Sequence, residues 1–82
     1  MNDGSSAPRQ PPGVPPGVMD AVLAILRAGP VPMRRRKILD ALEARGRRLS
    51  LAGLNRLLDH ATREEVTLEG PDGVRIGPKA PP

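Results

Sequence analysis

The 82-residue chain has no cysteine, no phenylalanine, no tryptophan and no tyrosine, and one histidine. Without cysteine there is no disulfide framework, no thiolate zinc site and no thiol nucleophile. Without aromatic rings the core has to be aliphatic, and modes that stack bases on aromatic side chains, as single-strand and RNA readers do, are excluded. His60 has no second histidine or cysteine with which to hold a metal. It also lacks a nucleophile to serve, and Ser50 reads as a helix cap. No glycine-rich phosphate loop and no carboxylate pair at an active-site spacing is present. The expectation is therefore not an enzyme: no catalytic residue, no metal and no cofactor. The longest apolar run, AVLAIL, is far too short to span a bilayer. Met1 is followed by polar residues rather than by a basic start and an apolar stretch, which makes the cytoplasm the expected location.

What the chain does have is a concentrated positive charge. The formal net charge is +4, and residues 1–32 and 66–82 are each balanced, while residues 33–65 hold nine cations against five acids. A length of 82 residues leaves room for one small domain, so this excess falls on one part of one fold. A local basic stripe is the electrostatic footprint of a nucleic acid or another polyanion. The stretch PMRRRKILDALEARGRRLS, Pro32 to Ser50, makes the point sharper. Ile38, Leu39 and Leu42 have helical spacing, yet the helix they imply opens on Arg34, Arg35, Arg36 and Lys37. A helix N-terminus already carries partial positive charge, so cations there work against stability. Arg36 stands four residues before Asp40, a spacing that allows local pairing.

Residues 1–17 contain five prolines, three glycines and two serines, which reads as a disordered tail. Residues 78–82 read as a frayed, disordered C-terminus. The domain between them, 18–77, shows three helical patterns and a hairpin. The first helix runs from about Val18 to Ala28, with apolar residues over more than half its circumference, and is closed by Gly29 and Pro30. Met19, Leu23 and Leu26 form its second apolar side, which a homodimer would cover. Val31 then has room for a very short strand. The second helix runs from about Arg34 to Arg45, ahead of Gly46. The third follows Ser50, a good N-cap residue, with Leu51, Leu54, Leu57, Leu58 and Ala61 on one side. The opposite side shows Ala52, Asn55, Arg56, Asp59, His60 and Arg63. Gly53, which costs a helix about 1 kcal/mol, would admit another backbone closely. Val66 and Leu68, then Val74 and Ile76, alternate around the turn signal EGPDG, which predicts a β-hairpin.

The order VMDAVLAILRAG, PVPM, RRRKILDALEARG, LSLAGLNRLLDHATREE and VTLEGPDGVRIG resembles the winged helix-turn-helix DNA-binding family over about residues 18–77. The resemblance implies an α+β fold, a small winged helix-turn-helix of three helices plus a C-terminal β-hairpin wing. It further implies that the third helix enters the major groove of double-stranded DNA, while the start of the second helix and the wing touch phosphates. On that transfer Asn55, Arg56, His60 and Arg63 face base edges or phosphates. Arg34, Arg35, Arg36, Lys37, Arg47 and Arg48 face the backbone, where helix-start amides and cations together make a phosphate site. The implied function is a transcriptional regulator or nucleoid-associated factor. Two features cut against the pattern: Asp59 on the outward face, unless Arg56 or Arg63 pairs with it, and the acidic wing tip EGPDG. Winged helices also include modules that dock proteins and never touch DNA, so that partner class stays open.

Overall fold

A computed structural model describes residues 14–82. Its elements are helices α1 (Val18–Ala28), α2 (Arg35–Ala44) and α3 (Leu51–Arg63), then strands β1 (Thr67–Gly70) and β2 (Gly73–Ile76). This is the expected α+β layout, three helices followed by an antiparallel hairpin, in the shape of a small winged helix. Residues 1–13, most of the expected N-terminal tail, lie outside the described residues. Of its remainder, Val14 packs against the core and Gly17 caps α1 in the left-handed region, φ 85°, so the folded unit begins ahead of Val18.

Each helix starts and stops for a local reason. The Gly29 N–H returns to the Ile25 carbonyl at 2.9 Å, after which Pro30 has no N–H to continue α1. Ser50 Oγ accepts from the Gly53 N–H at 3.0 Å and closes the first turn of α3. Arg34 holds the N-cap position of α2 with no side-chain bond to the helix. The small Gly53 admits the Leu49 side chain and Ser50 Oγ, rather than another backbone.

The core is a single aliphatic cluster. Val18, Met19, Val22, Leu23, Ile25 and Leu26 of α1 meet Ile38 and Leu42 of α2, Leu54, Leu57, Leu58 and Ala61 of α3, and Val66 and Val74 from the hairpin region. Burial of Met19, Leu23 and Leu26 at 2% exposure or less overturns the proposed dimer face: both apolar sides of α1 are covered within one chain. Part of that cover comes from the C-terminus, which was expected to fray. The Lys79 N–H donates to the Glu65 carbonyl at 3.0 Å, Ala80 packs against the core, and the Arg27 guanidinium donates to the Pro81 carbonyl. A segment rich in proline loses little entropy when it is laid along a surface, so these few bonds suffice to hold it.

Two apolar positions, Leu51 and Leu68, face the other way from their expected direction, and the short strand given to Val31 is displaced. Leu51 stands 41% exposed in the first turn of α3, and Val31 is exposed because the short extended piece falls two residues later. There Met33 and Val74 form one isolated antiparallel bridge, with N–H to carbonyl distances of 2.9 and 2.8 Å. Gly73 makes this approach possible: its φ is +136°, and a Cβ there would lie 2.6 Å from the Met33 carbonyl carbon. In the hairpin, Thr67 pairs with Ile76, Leu68 with Arg75 and Glu69 with Val74. Cross-strand partners share a face, so Thr67, Glu69, Val74 and Ile76 point one way and Leu68 with Arg75 the other. The inward member of the Thr67–Leu68 pair is the threonine, fully buried, with its Oγ1 3.1 Å from Thr62 Oγ1. The hydroxyl pair satisfies Thr67 where Leu68 would have brought no hydrogen bond, and Leu68 is left 41% exposed.

Candidate nucleic-acid interface

The start of α2, the outer flank of α3 and the inner face of the hairpin meet at Arg35. This residue was expected to face a phosphate backbone; its guanidinium instead donates through all three nitrogens to protein groups. Nε lies 2.9 and 3.1 Å from the two Glu69 carboxylate oxygens, Nη1 lies 2.9 Å from Asn55 Oδ1, and Nη2 lies 3.0 Å from Asp59 Oδ1 and also donates to Glu69 Oε1. The arginine fork suits this task because its donors are coplanar and diverge toward several acceptors at once. The Glu69 hydrogen bond, followed by that of Asp59, keeps the guanidinium more firmly protonated than an ordinary arginine, against the opposing effect of partial burial.

Two of the three acids that cut against a phosphate-facing surface are thereby accounted for, while Asp72 at the wing tip stays exposed. Asp59 pairs with Arg35 and not with Arg56 or Arg63, and Glu69 points inward from the hairpin to the same guanidinium. Asn55 is spent as an acceptor in this cluster too. Arg34, Arg36 and Lys37 are exposed beside it, and none forms an ion pair with a described residue; Arg36 does not pair with Asp40. Arg56 and Arg63 are exposed on α3, three residues before and four after Asp59, so all three lie along one ridge. Here the structure brings together seven of the ten sequence-derived positions, five as exposed cations and two, Arg35 and Asn55, as an internal brace.

The other three go elsewhere. The Arg47 guanidinium lies over Gly17 at the start of α1, where a Cβ would come 3.2 Å from its Nη1. Arg48 borders a hollow between α2 and the start of α3, with Leu39, Glu43, Leu49 and Ser50. His60 is five residues from Asn55, roughly 140° around the helix, and so falls on the opposite flank. It lines a cleft of about 900 Å³ with Met19, Glu64 and the C-terminal residues Pro78 to Pro82, and its Nε2 is buried with no hydrogen-bond partner among the described residues. A base-facing role for His60 is therefore not what this geometry offers.

Glu69 as a partner for Arg35 had no signal in the sequence. The two are 34 residues apart, and the hairpin inversion that turns Glu69 inward depends on Thr67 taking the buried position. Among the described residues no group of three metal-ligating side chains converges, and no helix is long and apolar enough to cross a membrane. Comparison with family models, with curated proteins and with solved structures finds no match for this chain.

Proposed function

We propose that this chain is a small winged helix-turn-helix protein that binds double-stranded DNA, with α3 in the major groove and the start of α2 on phosphates, in a transcription-regulating or nucleoid-associated role. The observation that carries the reading is the unequal treatment of charge around Arg35. Asp59 and Glu69 are held by one guanidinium, while Arg34, Arg36, Lys37, Arg56 and Arg63 remain exposed without a carboxylate partner among the described residues. Cations at the start of a helix oppose its dipole, and an anion docked on the same amides reverses that penalty. The rival reading, a winged-helix module that docks a protein through the apolar surface of α1 or through the acidic wing, loses the first of these surfaces, because those α1 side chains are interior.

The test is a titration with duplex DNA at several salt concentrations. Binding is expected to weaken steeply with salt, and replacing Arg36 and Lys37 together by glutamine should reduce the log–log slope by up to about 0.9 for each phosphate that is no longer neutralised. Absence of duplex binding even at low salt would sink the proposal.

A further inference from the structure

The exposed ridge of α3 carries one anion among its cations. Asp59 keeps 60% of its side chain exposed even though it is paired. Its Oδ1 accepts from Arg35 Nη2 at 3.0 Å, and its Oδ2 has no partner among the described residues. Arg35 cannot swing to follow it, because Nε and Nη1 are held by Glu69 and Asn55. The carboxylate is thus fixed at one oxygen and presents the other, between Arg56 and Arg63, on the surface where the proposed DNA would lie.

From this we infer that Asp59 sets the sequence preference of the interface by accepting a hydrogen bond from the exocyclic N4 amino group of a cytosine, with Arg35 as its positioning residue. The inference rests on the DNA-binding reading. A carboxylate offers acceptors only, so it is repelled by guanine, which presents N7 and O6, and by thymine, which presents O4. Adenine offers its N6 amino group, but between two acceptors, its own N7 and the O4 of the paired thymine; cytosine N4 has an acceptor on one side only, the O6 of the paired guanine, and is open on the other. Phosphates repel Asp59 on every sequence alike, so the charge lowers affinity uniformly unless a base amino group compensates for it. Compensation at cytosine alone turns that uniform cost into discrimination.

Arg35 makes the inference sharply testable through Asp59→Asn. The guanidinium has donors only, so the new amide must turn its oxygen toward Arg35 and its NH₂ outward. An outward acceptor becomes an outward donor with no change of shape. Wild type and the variant are each allowed to select from a randomised duplex library, and affinities are then measured on duplex pairs differing by cytosine or thymine at the enriched position. Wild type is expected to favour cytosine by roughly five-fold or more, and Asp59→Asn to reverse the order toward thymine. Asp59→Ala should abolish the difference, and adding Arg35→Gln to Asp59→Asn should blur the reversal, because the amide is no longer oriented. If Asp59→Asn and Asp59→Ala both tighten binding by one factor on every duplex with base preference unchanged, Asp59 merely repels phosphate and the inference is overturned. A wild type that binds in a salt-dependent manner but shows no base preference also overturns it while leaving the DNA-binding reading intact; failure to bind any duplex removes both.

Discussion

The two flanks of α3 treat their polar side chains in opposite ways. On one flank Asn55 accepts from Arg35, Asp59 and Glu69 complete the cluster, and Thr62 meets Thr67. On the other, His60 buries Nε2 without a partner among the described residues, beside a C-terminal segment made mostly of proline, glycine and alanine. The first flank joins three elements through directional bonds and leaves its surplus cations outside. The second borders a cleft and is held by backbone carbonyl contacts, Gly77 to Val66, Lys79 to Glu65 and Arg27 to Pro81, together with an exposed ion pair of Lys79 and Glu65 at 3.6 Å. Hydrogen bonds between side chains therefore accumulate on the Arg35 flank, while the His60 flank is held mainly through backbone carbonyls.

The largest effect should come from the core that both flanks share. Leu42, Leu54 and Leu58 are each fully buried, so replacement by alanine should cost roughly 2–5 kcal/mol per site in chemical denaturation. Melts that do not move would mean that the helix faces are misassigned on both sides at once. Next comes the Arg35 flank. Arg35→Ala leaves Glu69 and Asp59 without their donor and should cost roughly 1–3 kcal/mol, whereas the neighbouring exposed Arg36→Ala should change stability by only a few tenths. Equal effects of the two substitutions would erase the distinction between brace and surface cation.

The His60 flank should respond more weakly. Ending the chain after Gly77 removes the Lys79, Ala80 and Pro81 contacts and is expected to cost about 1–2 kcal/mol, with amide exchange rising at Glu65 and along α1 but not at Asn55 or Glu69. Exchange that rises equally on both flanks would show one cooperative unit. The smallest effect belongs to His60→Leu, which removes a buried nitrogen that has no partner among the described residues. Stability should stay level or rise by up to about 1 kcal/mol, and a loss of several kcal/mol would reveal a hydrogen bond that this arrangement does not contain.

Much of the local structure is legible in the sequence. The bounds of α1, the Ser50 cap, a turn within EGPDG and the α3 stripe of Leu54, Leu57, Leu58 and Ala61 all follow from periodicity, breakers and caps acting within a few residues. The hairpin shows where such reading stops. Alternation located the strands, but choosing which member of the Thr67–Leu68 pair turns inward needed the neighbouring Thr62 hydroxyl and the Met33 backbone. Leu51 is a similar case: it fits the helical stripe, yet at the first turn it has no facing element to cover it.

The candidate site divides along the same line. Counting charges along the chain was enough to locate the basic block, because net charge is a property of composition and needs no fold. Which of its cations face outward was decided by contacts over 24 and 34 residues, Arg35 to Asp59 and Arg35 to Glu69. No local pattern encodes those pairings, since each becomes available only once packing of the three helices and the hairpin has set their separations. By itself the sequence determined an aliphatic, aromatic-free domain of three helices and a hairpin with its charge gathered in the middle, because propensity, patterning and composition act locally or in sum. Only the tertiary structure decided that one of four adjacent cations is a brace, that α1 is covered on both sides by its own chain, and that Asp59 is held at one oxygen, because hydrogen bonds and burial depend on distances that separate segments acquire together.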